Sequence, residues 1–372
     1  MLGEIVWELA PGKGNPRNSE GAFLPLGQGE RLLFCYSSFL GDSARDHTPA
    51  DIVSMRSLDG GATWSEPQTL LRAATLGAMN LMSLSLLRMG NGDIGLFFLN
   101  RQSWQDMRVM LIRSTDEGRT WGEPVYCSPR VGYFVVNNDR AALLSSGRIV
   151  IPAAEHVATV GADGEATISP AVTTFFCSDD DGHTWFEARH VALPQGLSRS
   201  GLQEPGVIEL RDGSLLGWSR TDLGCQYVFT SRDGGLSWSE PTASRFTSPL
   251  SPMSIKRLPD GALLAVWNPN QRQKDAPHDG QTLGRTPLVF ALSRDEGETW
   301  SAPRAIEDDP CSGYCYTAIQ TAGEWLLLAY CAGHAPADGC CLNRLRIRRI
   351  RLSELENELR GAIAIDERSA FG

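Results

Sequence analysis

Short apolar runs bounded by polar turns recur along the chain, and runs of this length read as strands rather than helices. They fall at Arg31–Phe39 and Ile52–Arg56, then Met82–Met89 and Asp93–Leu99, then Ala141–Leu144, Arg148–Pro152 and Val172–Cys177. The second half continues with Gly206–Leu210, Ser214–Arg220 and Tyr227–Ser231, then Ser254–Leu258, Ala262–Asn268 and Leu288–Ser293. Thr317–Thr321, Glu324–Cys331 and Leu345–Leu352 complete the series. Hairpin turns are signalled by Gly90-Asn91-Gly92, Leu210-Arg211-Asp212-Gly213 and Leu258-Pro259-Asp260-Gly261. Only Ser353–Leu359 reads as helix, with Ser353 as its cap.

One motif punctuates these runs. SLDGGATWSEP from Ser57 returns as STDEGRTWGEP from Ser114, SDDDGHTWFEA from Ser178, SRDGGLSWSEP from Ser231 and SRDEGETWSAP from Ser293. All share Ser-x-Asp-x-Gly-x-(Thr/Ser)-Trp, at a blade-length period of roughly sixty residues. Ser and Asp side chains bond nearby backbone N–H groups, and Gly supplies positive φ at the tight point. The Trp then begins the next strand and packs against the neighbouring repeat. Each copy is a hairpin corner.

These motifs resemble Asp boxes, and from about Arg17 to about Arg351 the chain resembles the sialidase (neuraminidase) superfamily. The period and the resemblance together imply an all-β fold: a six-bladed β-propeller of four-stranded antiparallel blades, as one domain over residues 1–372. The last blade lacks a box, and Glu4–Leu9 is the candidate strand to complete it. The family carries its boxes on the face away from its active site, so they are read as structural.

Composition narrows the partners. The formal net charge is −10, and the basic run Arg344–Arg351 alternates apolar and Arg residues, which reads as an edge or closing strand with one solvated face. Nucleic acid is therefore not expected as a partner. An acidic protein gains no long-range attraction for an anionic sugar, so recognition of one must be local. No apolar run reaches membrane-spanning length, and no membrane partner is expected. No signal peptide is visible, and the nine cysteines follow no disulfide framework, so free thiols in a cytoplasmic setting are the expectation. A zinc site can be drawn on Cys311, Cys315, Cys331, His334, Cys340 and Cys341, but no CxxC pair supports it. No metal is expected, and the oligomeric state is open.

The resemblance implies a carboxylate-gripping arginine trio, a Tyr nucleophile, a Glu base and an Asp acid. By order and neighbours these map to Arg17, Arg220 and Arg285, to Tyr316, to Glu204 and to Asp46. Arg17 stands in Arg-Asn-Ser-Glu where the family usually has Arg-Ile-Pro. Tyr314 rivals Tyr316, and Asp42 and Asp51 rival Asp46. Guanidiniums offer planar forks to a carboxylate. A phenol is a nucleophile that an anionic sugar does not repel, and sialidases are the exception to the two-carboxylate rule of glycoside hydrolysis. A loop closing over Asp46 desolvates it and raises its pKa, with His47 beside it to orient the carboxylate or leaving group.

Two stretches lie outside the family pattern. Asn137-Asn138-Asp139-Arg140 reads as a sugar-binding loop, with Asp139 and Arg140 reaching hydroxyls and Asn138 a further substrate-binding residue. Glu20 can hold a hydroxyl or share a proton with Asp46, and near a substrate carboxylate it repels. The expected partner is thus an acidic sugar glycoside, sialic acid or an analogue, cleaved by an exo-glycosidase without a cofactor. The alternatives are a glycosidase or lyase on another uronic or deoxy sugar, and a non-catalytic carbohydrate-binding propeller.

Overall fold

The computed structural model describes residues 2–27, 30–161, 166–270 and 279–359. The apolar runs pair with their sequence neighbours. Asn18–Pro25, Leu32–Phe39, Ala50–Ser57 and Gln68–Leu71 form a four-stranded antiparallel sheet in chain order. Gln203–Glu209, Leu215–Arg220, Cys225–Ser231 and Thr242–Thr247 form another, and Ser254–Arg257, Leu263–Trp267, Leu288–Ser293 and Arg304–Glu307 a third. A fourth joins Ser312–Ala322, Trp325–His334 and Leu345–Arg351 to Glu4–Leu9, the strand expected to complete it.

The remaining two repeats are fused into one nine-stranded sheet. Tyr133–Val135 bridges them, touching Met107–Ser114 in parallel and pairing antiparallel with Ile149–His156. First strands of successive repeats pack on one another. Asn18–Pro25 meets both Asn80–Arg88 and Ser312–Ala322, and Gln203–Glu209 meets Ser254–Arg257, which meets Ser312–Ala322.

Two kinds of strand escape the hydrophobic pattern. The strands after the boxes, such as Val125–Tyr126 and Phe186–Glu187, are short and largely exposed, so no apolar run marks them. Asn18–Pro25 begins with polar residues that are nonetheless buried. Residues 352–359 are helical, as expected, and three further single turns occur at Ala73–Leu76, Asp279–Thr282 and Ala335–Asp338. No helix among the described residues is long and apolar enough to cross a membrane.

The reading of Arg344–Arg351 needs correction. Leu345–Arg351 is a closing strand but not an edge, because it lies between Trp325–His334 and Glu4–Leu9. Its polar face is not solvated: Arg348 is buried, donating to Tyr330 and Glu307 at 2.9 and 2.7 Å.

The boxes are hydrogen-bonded corners. Ser231 Oγ donates to Asp233 at 2.8 Å and accepts from Gly235 N–H at 2.9 Å, while Asp233 accepts from the N–H and hydroxyl of Ser237 at 2.9 and 2.5 Å. Gly235 sits at φ 86°, and the residue before it in each box is also left-handed, which is why Gly60 and Gly234 recur there. The corner delivers its Trp to the preceding repeat. Trp238 stacks on Phe175 at 4.2 Å, and Trp300 meets Phe246 edge-on at 5.1 Å.

These bonds hold the Asp233 carboxyl down at about 2 against the upward pull of desolvation. A folded-state pKa below the unfolded one contributes stability that is present above the unfolded pKa and is lost as pH falls through the folded one. Asp233→Asn should therefore lower Tm by on the order of 2–4 °C near neutrality. The gap to the wild type should narrow as pH falls from about 4 toward about 2. Thermal melts across that range check it, and a gap independent of pH counts against this account of the corner.

Candidate active site

The first strands do more than line the interior. Four of them carry an irregularity in pairing, and within it one non-glycine residue adopts a left-handed backbone: Glu20 (φ 59°), Ser83 (φ 57°), Glu204 (φ 45°) and Tyr316 (φ 58°). Bulges re-aim side chains that strict alternation would place elsewhere. Left-handed non-glycine residues cost about 1–3 kcal/mol each and concentrate at functional sites. All four side chains line one cavity of about 160 Å³.

Tyr316 is the centre of that cavity's chemistry. Its hydroxyl donates to Glu204 Oε1 at 3.1 Å, and Arg220 Nη1 lies 3.0 Å from Glu204 Oε2. That ion pair is close but misaligned as a hydrogen bond, so both buried atoms are left without a hydrogen-bond partner. Arg220 is oriented by Gln203, whose Oε1 accepts from Nε at 3.2 Å. Burial, reinforced by the Glu204 charge, pushes the Tyr316 phenol well above its ordinary range. The phenol is therefore neutral, with its hydroxyl hydrogen-bonded to Glu204.

Arg17 is buried and holds two carboxylates that line the cavity. It donates to Asp46 at 2.5 Å, to Glu20 at 2.6 Å and to Ser19 at 3.0 Å, and its guanidinium lies over the Phe39 ring at 4.4 Å. Glu20 also accepts from Ser83 at 2.6 Å, and burial raises its pKa despite Arg17.

The expectation for the pKa of Asp46 is not met. Its side chain remains 58% exposed, and although desolvation pulls its pKa upward, the Arg17 charge and hydrogen bond hold it below the carboxylate norm. In this geometry Asp46 is an ion-pair partner rather than a ready acid. Asn80 pins the loop by donating to the backbone carbonyls of Asp46 and Thr48.

The rivals fall elsewhere. Tyr314 is buried against Tyr330, where burial pushes its phenol up to about 12. Asp51 is buried and accepts from the Ala73 N–H at 2.9 Å, and Asp42 lies exposed at the loop's start. Of the expected arginine trio, Arg220 lines the cavity. Arg285 stands behind Tyr316, its guanidinium 5.5 Å from the ring and bonded to Cys315 Sγ at 3.0 Å and Leu250 O at 3.2 Å. His47 is half-buried with its ring 5.9 Å from that of Trp104, outside the cavity lining.

Asn138, Asp139 and Arg140 do not line this cavity; Asp139 and Arg140 line a separate space of about 340 Å³, and most polar groups of the three residues bond within the protein. Asn138 donates to the carbonyls of Gly21 and Tyr316 at 2.7 and 3.0 Å. Asp139 accepts from Lys256 and from the Ile319 N–H at 2.8 and 3.0 Å. Arg140 donates to Met253 O and Ser254 Oγ at 2.7 and 3.2 Å.

Sequence reasoning passed over Ser83, Arg101, Tyr133 and His156, all of which line the cavity. Burial lowers the pKa of His156, and its Nδ1 donates to Ser169 O at 2.7 Å, leaving Nε2 as an acceptor. Arg101 had a signal: it closes the apolar strand Ile94–Arg101 just as Arg220 closes Leu215–Arg220. The nine cysteines are free thiols, and no cluster of His, Cys, Asp or Glu among the described residues could hold a metal ion.

The repeats, the bulged strands and the cavity define a class of protein. The model of the BNR repeat-like domain matches residues 31–327, and this chain belongs to that family, within the sialidase superfamily. It is 24% identical over 330 residues to a sialidase of Bacteroides fragilis (strain YCH46), covering 77% of this chain and 55% of that one. It is 25% identical over 300 residues to a sialidase of Micromonospora viridifaciens, covering 73% of this chain and 43% of that one. The chain thus spans about half the length of these curated relatives. The structure of Trypanosoma rangeli sialidase in complex with sialic acid superposes with TM-score 0.68 at 16% identity, over 98% of this chain and 60% of that one, which establishes a shared fold.

Asn138→Ala should behave as a structural lesion. It leaves two buried carbonyls without their donor, at a cost of about 1–3 kcal/mol each. Denaturant unfolding should register the loss. If Asn138→Ala instead keeps wild-type stability, the tie it makes is not holding the fold.

Proposed function

We propose that the chain is a six-bladed propeller acting as an exo-glycosidase on a terminal acidic sugar, sialic acid or a close analogue. The observation that carries the reading is the contact of the Tyr316 hydroxyl with Glu204, with Arg220 beside it. Support for the substrate class comes from relatives named as sialidases. The packing of successive first strands is what a closed ring of blades requires.

Tyr316 Oη attacks the anomeric carbon as Glu204 takes the phenolic proton, and the glycosidic C–O bond breaks. Asp46 protonates the departing oxygen. Asp46, now a carboxylate, takes a proton from water as that water displaces Tyr316 from the glycosyl intermediate, Glu204 returns its proton to the phenolate, and the configuration is retained. The neutral phenol approaches an anionic sugar without repulsion. Arg220 meets the substrate carboxylate at the cavity wall, and Arg17 and Arg285 reinforce it from behind. When the substrate's charge competes for Arg17, Asp46 is released, its pKa rises, and it becomes a competent acid. A cavity of about 160 Å³ is below the ~300 Å³ of ordinary ligand sites, which suits a single terminal residue.

Tyr316→Phe should lose at least about 100-fold in kcat on acidic aryl glycosides. Asp46→Ala should spare substrates with activated phenolic leaving groups and cripple those with alkyl ones, because only a poor leaving group needs the proton. Steady-state kinetics on matched aryl and alkyl sialosides decides. Wild-type turnover by Tyr316→Phe sinks the nucleophile assignment. Tight binding of sialic acid without turnover by the wild type replaces the enzyme with a carbohydrate-binding propeller.

A further inference from the structure

His156 ends the strand Ile149–His156 and lines the active-site cavity. It is 4% exposed, and the Tyr133 ring meets it edge to face at 6.2 Å. Its Nδ1 lies 2.7 Å from Ser169 O. A carbonyl oxygen can only accept, so Nδ1 carries the proton and Nε2 of the neutral ring is an acceptor. Ser169 is itself held in place: its N–H donates to Val157 O and its hydroxyl oxygen accepts from Val157 N–H, both at 2.9 Å. Burial lowers the pKa of the ring, and Arg220 adds to this against the Ser169 carbonyl and the Glu204 charge, so the ring is neutral near neutral pH. No described residue donates to Nε2, and that atom is not sealed away from the cavity. The carboxylates of the same cavity are already engaged: Glu20 accepts from Arg17 and Ser83, Asp46 from Arg17, and Glu204 from Tyr316. A lone uncharged acceptor of fixed orientation discriminates by hydrogen: an O–H or N–H satisfies it, and a carboxylate or an ether oxygen does not.

We infer that His156 is a specificity-determining residue whose Nε2 accepts a hydrogen bond from an uncharged donor of the sugar, a hydroxyl or an amide N–H. The inference rests on the glycosidase reading of the same cavity and deepens it: Arg220 meets the carboxylate, and His156 reads a neutral group. A site built to bond a hydroxyl or N–H rejects an analogue lacking it more sharply than an apolar pocket rejects a misfit, because its own polar atom is then left unpaired. The Ser169 carbonyl secures this role, since the opposite tautomer would set a lone pair of Nδ1 against a carbonyl oxygen.

The test compares an aryl sialoside with analogues in which each hydroxyl in turn is replaced by hydrogen, and one in which the amide N–H is methylated. On the wild type one of these analogues should lose about 5- to 100-fold in kcat/KM, the scale of a buried acceptor left without its donor. Its identity tells a hydroxyl from an amide N–H. On His156→Leu and His156→Phe, which carry no acceptor, that one penalty should vanish while the penalties at the other positions stay. His156→Gln supplies a carbonyl acceptor and should keep part of it. A merely structural role for the ring would weaken all substrates together and leave every ratio as it was. If one of the acceptor-free variants does not fold, as judged by its melt, the other carries the comparison. Penalties unchanged at every position across the variants, with an active wild type, overturn the role of His156 and leave the glycosidase reading standing. A wild type that neither turns over nor binds the sialoside overturns both.

Discussion

Three consecutive buried side chains hold the interior together. Asn138, Asp139 and Arg140 reach Gly21, Tyr316, Ile319, Met253, Ser254 and Lys256, which belong to three different sheets. Sheets that meet only through apolar packing can slide, because dispersion and the hydrophobic effect are non-directional. Hydrogen bonds from one tripeptide tie the first strands of these three sheets to one another. One of them lands on the carbonyl of Tyr316 itself, at the left-handed residue that aims the phenol into the cavity.

The cavity's chemistry then follows from burial. Left-handed bulges on separate strands bring Glu20, Ser83, Glu204 and Tyr316 to one space. Desolvation there keeps the phenol protonated and raises Glu20, while ion pairing holds Asp46 charged. Two carboxyl groups thus have their pKa values pushed in opposite directions by position.

Much of this was legible in the sequence, and the parts that were not share a cause. The boxes and the apolar runs announced the strands, because turn chemistry and alternation are local. Tyr314 and Tyr316 sit two apart and on a regular strand would share a face, so only the pairing shift between Cys315 and Ala318 separates core from cavity. Polar density at Asn138–Arg140 does not mark a place in this cavity, because a polar residue can be buried wherever backbone groups satisfy it. Polarity likewise made Arg348 look solvated, when Glu307 and Tyr330 receive it inside. Arg101 was passed over although it repeats the strand-ending pattern of Arg220.

The pairing of Glu4–Leu9 with Leu345–Arg351 has a consequence for assembly. Glu8 and Arg346 meet across 338 positions of chain and Gly3 and Glu354 across 351, so this pairing closes very long loops at a high cost in chain entropy. Without it the outer edge of Leu345–Arg351 is open, ready to pair with another molecule. An edge that presents Arg346, Arg348, Arg349 and Arg351 repels a copy of itself, since like charges in register are unfavourable. In the finished sheet those arginines find carboxylates at Glu8, Glu307, Glu4 and Glu324. The same arginine run therefore disfavours pairing with its own copy and forms the seam between Leu345–Arg351 and Glu4–Leu9.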